Sequence, residues 1–304
     1  MSAVTVSLAA GRHDAVRGLP PSWSGHEMIV AREIGRDAMT FGLTAPVRLR
    51  GGGGLLAPEG LPLTLGIDHQ PEFIRAVADA CRNQAEGGRD WYSHGAMALV
   101  GSSGVGRGHA ARRLAAATGL PLMVVDASTV AGRRLLAGDA ETGTIAAPPA
   151  AVTAIAATRC ANPIILVEGL GHADPVGRLL APFLDPARAP RFVSDRLGAI
   201  FDLSQINWLL QVADEGVLDA LPAGCSAVVP FLHFTEPPQA RMQHLSVIAA
   251  LHDEARGLNR EVDMTELANL VEGVMAGRRA RVPSVGEMVA DARRVLPAVP
   301  ERWS

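Results

Sequence analysis

Short apolar runs alternate with helical patterns through the middle of the chain. Continuous apolar residues typical of buried strands occupy 97–100, 122–125 and 164–167, and largely apolar strand patterns occupy 206–212 and 227–234. Segments with apolar residues at helical spacing occupy 70–84, 109–118, 150–158 and 176–183. This alternation predicts an α/β fold with a doubly wound parallel sheet that is covered by helices on both faces.

The two flanks of this core have different patterns. The N-terminal residues are small, polar and proline-bearing, and after Pro237 and Pro238 only helical patterns remain. The predicted parts are a flexible leader over 1–23, a partly helical extension over 24–90, the α/β core over 91–236 and an all-helical lid domain over 237–304. The flanking elements expected are a helix over 26–41, a strand over 47–49, a flexible glycine turn over 51–54, and helices over 239–256, 264–275 and 285–295.

A glycine-rich loop follows the first strand of the core. Its sequence from Gly101 to Gly108, GSSGVGRG, keeps the glycine spacing of a Walker A loop, in which backbone N–H groups wrap a phosphate at a helix N-terminus. Where such a loop continues with Lys and then Ser or Thr, this chain has Arg107 and Gly108. The candidate residues for binding ATP or ADP are Gly101, Ser102, Ser103, Gly104, Val105, Gly106, Arg107, Gly108 and His109.

Two roles are open for Arg107. Its guanidinium can meet a phosphate with two hydrogen bonds, or it can bond a carboxylate such as that of Glu168 and fill the pocket. All 28 basic residues of the chain are arginine, so composition alone explains an arginine where a lysine is expected. Composition does not explain Gly108, which lacks the hydroxyl that a Walker A loop supplies to Mg²⁺.

Charge and composition exclude several classes of protein. A net charge of -3 over 304 residues argues against a broad nucleic-acid-binding surface. The chain has neither an N-terminal signal pattern nor an uninterrupted apolar run of membrane-spanning length, so we expect a cytoplasmic protein that does not bind a membrane. Cys81, Cys160 and Cys225 are too far apart in sequence for a zinc-ligand pattern.

Four sequence blocks carry a resemblance to a known family. The blocks LVGSSGVGR, ANPIILVEG, DPVGRLLAPFLDPARA and FDLSQINWLL occur in order within residues 90–300. They resemble the ATPase module of Lon-type proteases, which belongs to the AAA+ ATPases. The resemblance implies a P-loop NTPase fold with a helical lid, ATP as ligand, a homo- or hetero-oligomer of the AAA+ type and a protein partner, but the chain leaves no room for a protease domain.

The resemblance also implies catalytic residues, most of which this chain lacks. An Asp for Mg²⁺ and a Glu for the attacking water are expected at the end of IILV, where the chain has Glu168 and Gly169. Glu168 is the candidate catalytic and metal-binding residue, with an acid that faces solvent at a strand end as its alternative, and Mg²⁺ is left open. Where the family has a polar sensor, this chain has Ala213, with Asp214 beside it, and the segment 223–229, where the arginine finger is expected, contains no arginine. Gly286 stands at the position of the second sensing arginine, and Gly143 at that of the aromatic residue that threads a polypeptide.

Three functions are therefore compatible with the sequence. The first is an AAA+ ATPase-like protein that binds ATP or ADP, hydrolyses ATP weakly or not at all, and has a conformational or scaffolding role. The second is a nucleotide-independent interaction subunit, which an Arg107 folded onto Glu168 would favour. The third is an active ATPase that uses Asp174, Arg178 or Arg191 as displaced substitutes. Arg191 and Arg196 are the candidates for an arginine that acts in trans, with a solvated surface role as the favoured alternative for each.

Overall fold

The computed structural model describes residues 26–52, 65, 67, 70–102, 105–138, 147–171, 176–213, 216, 225 and 227–231. The strands are β1 (Glu27–Met28), β2 (Ala31–Glu33), β3 (Val47–Arg48), β4 (Ala96–Val100), β5 (Leu122–Asp126), β6 (Ile164–Leu170), β7 (Phe192–Ser194), β8 (Ala199–Phe201), β9 (Asn207–Val212) and β10 (Ala227–Pro230). The helices are α1 (Pro71–Glu86), α2 (Arg107–Thr118), α3 (Val130–Ala137), α4 (Ala150–Thr158) and α5 (Val176–Leu184), with a 3₁₀ turn at Ala189–Arg191.

A five-stranded parallel sheet forms the centre of the fold. Its strand order is β10-β4-β9-β6-β5, and every neighbouring pair is parallel. All five residues of β4 and the first four of β6 and β9 are buried, as expected of strands covered on both faces. One apolar cluster contains residues of α1 and α2, and a second contains residues of α4 and α5. The predicted doubly wound parallel sheet is confirmed.

Most of the predicted elements of the core agree with the structure to within a few residues. The agreement covers α1, α2, α4, α5 and the five strands of the sheet, although β6 continues three residues past its predicted end to Leu170. The sequence analysis missed α3, which begins after Thr129, whose hydroxyl accepts a hydrogen bond from the Gly132 N–H at 3.0 Å. Helices 239–256, 264–275 and 285–295, residues 1–23 and half of the glycine turn lie outside the described residues.

The predicted helix over 26–41 is wrong. The segment contains β1, which pairs antiparallel with β3, and β2, which joins β8 and β7 in a three-stranded antiparallel sheet. Val30 is buried, whereas Ile29 and Ile34 are 56% and 51% exposed, so the apolar side chains do not form the single buried stripe of a helix. The N–H groups of Ile34 and Gly35 both donate to the carbonyl oxygen of Gly198, at 2.9 and 3.1 Å. Pairing with a distant part of the chain thus overrides the local helical pattern.

Asn162 connects three parts of the molecule just before β6. Its side-chain oxygen accepts from the Arg50 N–H at 2.9 Å, and its amide group donates to the carbonyl oxygens of Arg50 at 2.9 Å and Tyr92 at 2.8 Å. Its own carbonyl accepts from the Asn207 side chain at 2.9 Å, and Asn207 accepts from the His94 N–H at 2.8 Å. Both asparagines are fully buried. This network fixes the starts of β4, β6 and β9 relative to one another.

His94 is a buried histidine two residues before β4. The Tyr92 hydroxyl donates to its Nδ1 at 3.2 Å, and its Nε2–H donates to the Trp208 carbonyl oxygen at 3.3 Å, which fits the neutral imidazole. Burial lowers the pKa of His94 from its ordinary 6.5 to about 4, and the bond to Trp208 partly opposes the shift. The folded protein therefore holds this ring neutral.

Within the part of the chain that the structure describes, no helix combines the length and the apolar character needed to cross a bilayer.

We expect Asn162→Ala to lower the free energy of unfolding by about 3 kcal/mol, because the buried groups of Arg50 and Tyr92 lose their hydrogen-bonding partner. Urea unfolding followed by circular dichroism measures the change. Asn83→Ala, at an exposed position of α1, is the control and should change stability by less than about 0.5 kcal/mol. Equal effects of the two substitutions would contradict the role of the network.

Acidification should destabilise the protein through His94. Between pH 6.5 and about 4 the unfolded chain binds a proton at this ring that the folded chain does not, so stability falls as the pH falls. From pH 7 to 5 the loss attributable to His94 is about 2 kcal/mol. Urea unfolding of the wild type and His94→Gln at both pH values isolates it, since the other titrating groups are common to both. The same loss in both proteins would contradict the assignment.

Candidate functional site

The glycine loop is anchored to the carboxyl ends of two neighbouring strands. The Gly101 N–H donates to the Val212 carbonyl oxygen at 3.1 Å, which ties the loop after β4 to the end of β9. A Cβ atom at Gly101 would lie 2.8 Å from the Phe231 carbonyl oxygen, so a side chain does not fit there. On the other side of the loop, the buried Gln70 side chain donates to the Val105 carbonyl oxygen at 3.4 Å. The backbone thus has a fixed course on both sides of Ser103 and Gly104, which lie outside the described residues.

Helix α2 begins directly after this loop. Its N-cap, Gly106, has a φ of +99°, a left-handed conformation that favours glycine. Among the described residues no side chain caps this end, and its first turn contains no acidic residue. The N-terminus of α2 therefore offers the positive end of its dipole to an anion.

The Arg107 side chain is bonded to backbone carbonyl oxygens and not to Glu168. Its Nη1 donates to the carbonyl oxygens of Leu99 and Val212, at 3.3 and 2.5 Å, at the adjacent ends of β4 and β9. Burial lowers the pKa of the Arg107 guanidinium, and the nearby charge of Glu168 opposes the shift. Within the described residues Arg107 forms no ion pair with Glu168. The guanidinium is a bridge between two strand ends in this structure.

Glu168 is held by a residue that the sequence analysis missed. The Gln211 amide donates to the Glu168 Oε1 atom at 2.9 Å, and both side chains are half-buried. A Cβ atom at Gly108 would lie 3.3 Å from that same oxygen and 3.5 Å from the Gln211 Nε2 atom. Glu168 therefore lies beside the position where a Walker A loop carries its hydroxyl. The signal for Gln211 was a polar residue that interrupts the apolar run of β9, WLLQV.

Gly169 has a backbone conformation that excludes a side chain. Its φ is +74°, and the pairing of β6 with β9 shifts register between Val167 and Leu170. A Cβ atom at Gly169 would lie 2.8 Å from the Asp126 Oδ1 atom and 2.9 Å from the Ser128 N atom. Asp126 is fixed there, since its Oδ1 accepts from the Ser128 N–H at 3.0 Å and hydroxyl at 2.6 Å.

The remaining predicted residues that the structure describes lie in different parts of the fold. His109 is half-buried in the first turn of α2, at the end of the glycine loop. Arg178, Arg191 and Arg196 are exposed in and after α5. Ala213 directly follows β9. Gly143, Asp174, Asp214 and Gly286 lie outside the described residues. No group of three His, Cys, Asp or Glu side chains in the described part of the chain could hold a metal ion.

Comparisons with known proteins agree with the fold and with the resemblance in sequence. The chain is 31% identical over 129 residues to Lon protease 4 of Sorangium cellulosum (strain So ce56). That match covers 41% of this chain and 16% of the relative, so the chain spans much less than the length of the curated relative it matches. No protein-family model matches the chain.

The structure of an S. cerevisiae Hsp104-ADP complex aligns with 79% of this chain and 46% of that chain, with a TM-score of 0.55 at 14% identity. At this identity the likeness shows the fold, which is that of a P-loop NTPase. Together with the sequence match and the glycine loop, this likeness supports a P-loop NTPase fold that is similar, over 129 residues, to a Lon-type protease.

Proposed function

We propose that this chain binds adenine nucleotide at the loop Gly101–His109 and hydrolyses ATP slowly or not at all. Its role is then conformational or scaffolding, as a subunit of a homo- or hetero-oligomer of the AAA+ type that acts on or with a protein partner in the cytoplasm. This conformational or scaffolding role does not depend on the activities of the full-length relatives.

Nucleotide binding is supported by the backbone of the site. The uncapped N-terminus of α2, entered through the left-handed Gly106, offers N–H groups and a positive dipole to a phosphate, and neither depends on a lysine. The aligned Hsp104 structure is of an ADP complex. These observations favour ATP or ADP as the ligand.

The observation that carries the loss of hydrolysis is the backbone at Gly169. The position where the resemblance implies a water-activating glutamate is left-handed, and Asp126 and Ser128 fill the space of its Cβ atom. The turn after β5 thus occupies the space that the side chain of a base at position 169 would need. Loss of one positioned group at a reacting centre commonly reduces the rate by about 10²–10³.

A second candidate is an interaction subunit that binds no nucleotide. The observation in its favour is Arg107, whose guanidinium is bonded to the Leu99 and Val212 carbonyl oxygens. If a phosphate could bind only after these hydrogen bonds broke, nucleotide binding would be opposed. The fold would then serve only to dock on a partner.

Calorimetric titration of the full chain with ATP and ADP, beside a phosphate-release assay, separates the candidates. We expect binding to both nucleotides and turnover below about 10⁻² s⁻¹. Gly106→Ala should weaken binding at least about tenfold, because an alanine strains the left-handed entry to the loop. Gly119→Ala is the matched control, since Gly119 is left-handed with open space around it at the other end of α2.

The other possible results of these titrations and assays favour the other two functions. No binding at millimolar nucleotide would support the docking scaffold. Rapid turnover that Glu168→Ala abolishes would instead show an active ATPase with displaced residues.

Gly169→Glu tests whether the missing base can be restored by one substitution. We expect destabilisation on the order of 2 kcal/mol from the left-handed backbone and the contact with Asp126, and no gain in phosphate release. Gly171→Glu is the control, because a Cβ atom there meets nothing within 4 Å. A stable Gly169→Glu protein with increased turnover would contradict the steric explanation.

A further inference from the structure

A cleft of about 700 Å³ lies at the amino ends of β4, β9 and β10. The glycine loop follows the carboxyl end of β4, so the cleft is at the opposite end of the sheet from the candidate nucleotide site. One wall of the cleft is a face of α1, and the other contains the end of α5 and the residues just before β9. Apolar side chains form much of the lining, among them Phe183, Leu203, Ile206 and Trp208.

The cleft is elongated along α1. Its lining residues on this helix run from Glu72 to Gln84 at spacings of three and four, so they share one face of the helix. With a rise of about 1.5 Å per residue, this face is about 18 Å long. An extended chain advances about 3.3 Å per residue, so about five residues of an extended peptide fit along the face.

Two buried polar atoms of the lining have no hydrogen-bond partner among the described residues. They are the Gln84 Oε1 atom and the Trp208 Nε1 atom, and these two residues are 8% and 2% exposed. The Gln84 Nε2 atom donates to the Ser93 carbonyl oxygen at 2.9 Å, which orients the amide group. Buried polar atoms of folded proteins are nearly always hydrogen-bonded. The cleft thus presents one acceptor and one donor that a ligand with both kinds of group satisfies.

The charges around the cleft cancel one another. The lining contains two acidic residues, Glu72 and Asp79, and two arginines, Arg75 and Arg89. Glu72 is paired with Arg75 at 2.6 Å, and Asp79 is paired with Arg82. Since neither sign is in excess, the lining favours an uncharged ligand over a charged one.

We propose that this cleft binds an uncharged, apolar segment of a partner protein in an extended conformation. The peptide groups of such a segment supply a carbonyl oxygen to the Trp208 indole N–H and an N–H to the Gln84 Oε1 atom, while its apolar side chains cover Phe183 and Ile206. A compact small molecule would leave most of the α1 face uncovered. The proposal does not depend on nucleotide binding, because no residue of the glycine loop lines the cleft.

Titration of the full chain with the uncharged peptide acetyl-Ala-Leu-Ala-Leu-Ala-amide tests the proposal. Calorimetry measures the affinity, and ¹⁵N–¹H NMR of the tryptophan indole groups, assigned from triple-resonance spectra, locates the peptide. We expect a dissociation constant below about 1 mM. The Trp208 indole proton should shift downfield because it gains an acceptor, whereas the Trp91 indole, which is already bonded to Gln205 at 3.0 Å, should shift less.

Ala76→Phe should weaken binding of this peptide at least about tenfold, because the larger side chain fills the cleft beside α1. Ala78→Phe is the matched control, since Ala78 is also a half-buried alanine of α1 and does not line the cleft. Circular dichroism of both variants checks that the helix content is unchanged.

Three results would overturn the proposal: absence of binding at millimolar peptide, binding that leaves the Trp208 indole signal unchanged, and equal effects of the two substitutions. A Trp208 signal that moves with protein concentration alone would show a second copy of the chain in the cleft, and would also overturn it. Binding of acetyl-Glu-Leu-Ala-Leu-Ala-amide or of its Lys counterpart that is tighter by about tenfold would contradict the uncharged ligand. All of these results leave the proposed nucleotide site as it stands.

Discussion

The parallel register of β4, β9 and β6 sets the position of the groups at the candidate site. Leu99 pairs with Gln211 and Val100 with Val212, so the ends of β4 and β9 are level. The Val212 carbonyl oxygen consequently receives both the Gly101 N–H and the Arg107 guanidinium. The same register brings Gln211 beside Glu168 on the neighbouring strand. The buried asparagine network at the opposite ends of these strands supports this alignment.

The two glycines beside Glu168 are each in contact with neighbouring polar groups. The shift in register within β6 accompanies the left-handed Gly169, and the turn at Asp126 and Ser128 packs into the space that this conformation leaves. On the other side of Glu168, the absence of a side chain at Gly108 admits Gln211 and Arg112. Groups that contact one another are expected to respond together when one of them is replaced.

Much of the fold was predictable because local pattern and tertiary environment agree. Helix α4 was predicted to the residue, since its apolar, alanine-rich sequence favours a helix and is buried as one. The helix prediction for residues 26–41 was wrong because pairing with β8 and with Gly198 determines the conformation of this segment. The acceptors of Arg107 could not be inferred from sequence. Side-chain chemistry suggested a phosphate or the Glu168 carboxylate, whereas the guanidinium is bonded to the backbone carbonyl oxygens of Leu99 and Val212. Gln211 was visible only as a polar residue in an apolar strand, and its partner follows from strand register.

In the proposed function the glycine loop still binds a phosphate, but the site hydrolyses ATP slowly or not at all. A single ³¹P NMR experiment on equimolar ATP and full-length protein tests both halves. We expect the phosphorus resonances of ATP to shift or broaden on binding and to persist for hours without conversion. Growth of ADP and inorganic phosphate signals, or a spectrum identical to that of free ATP, would contradict the claim.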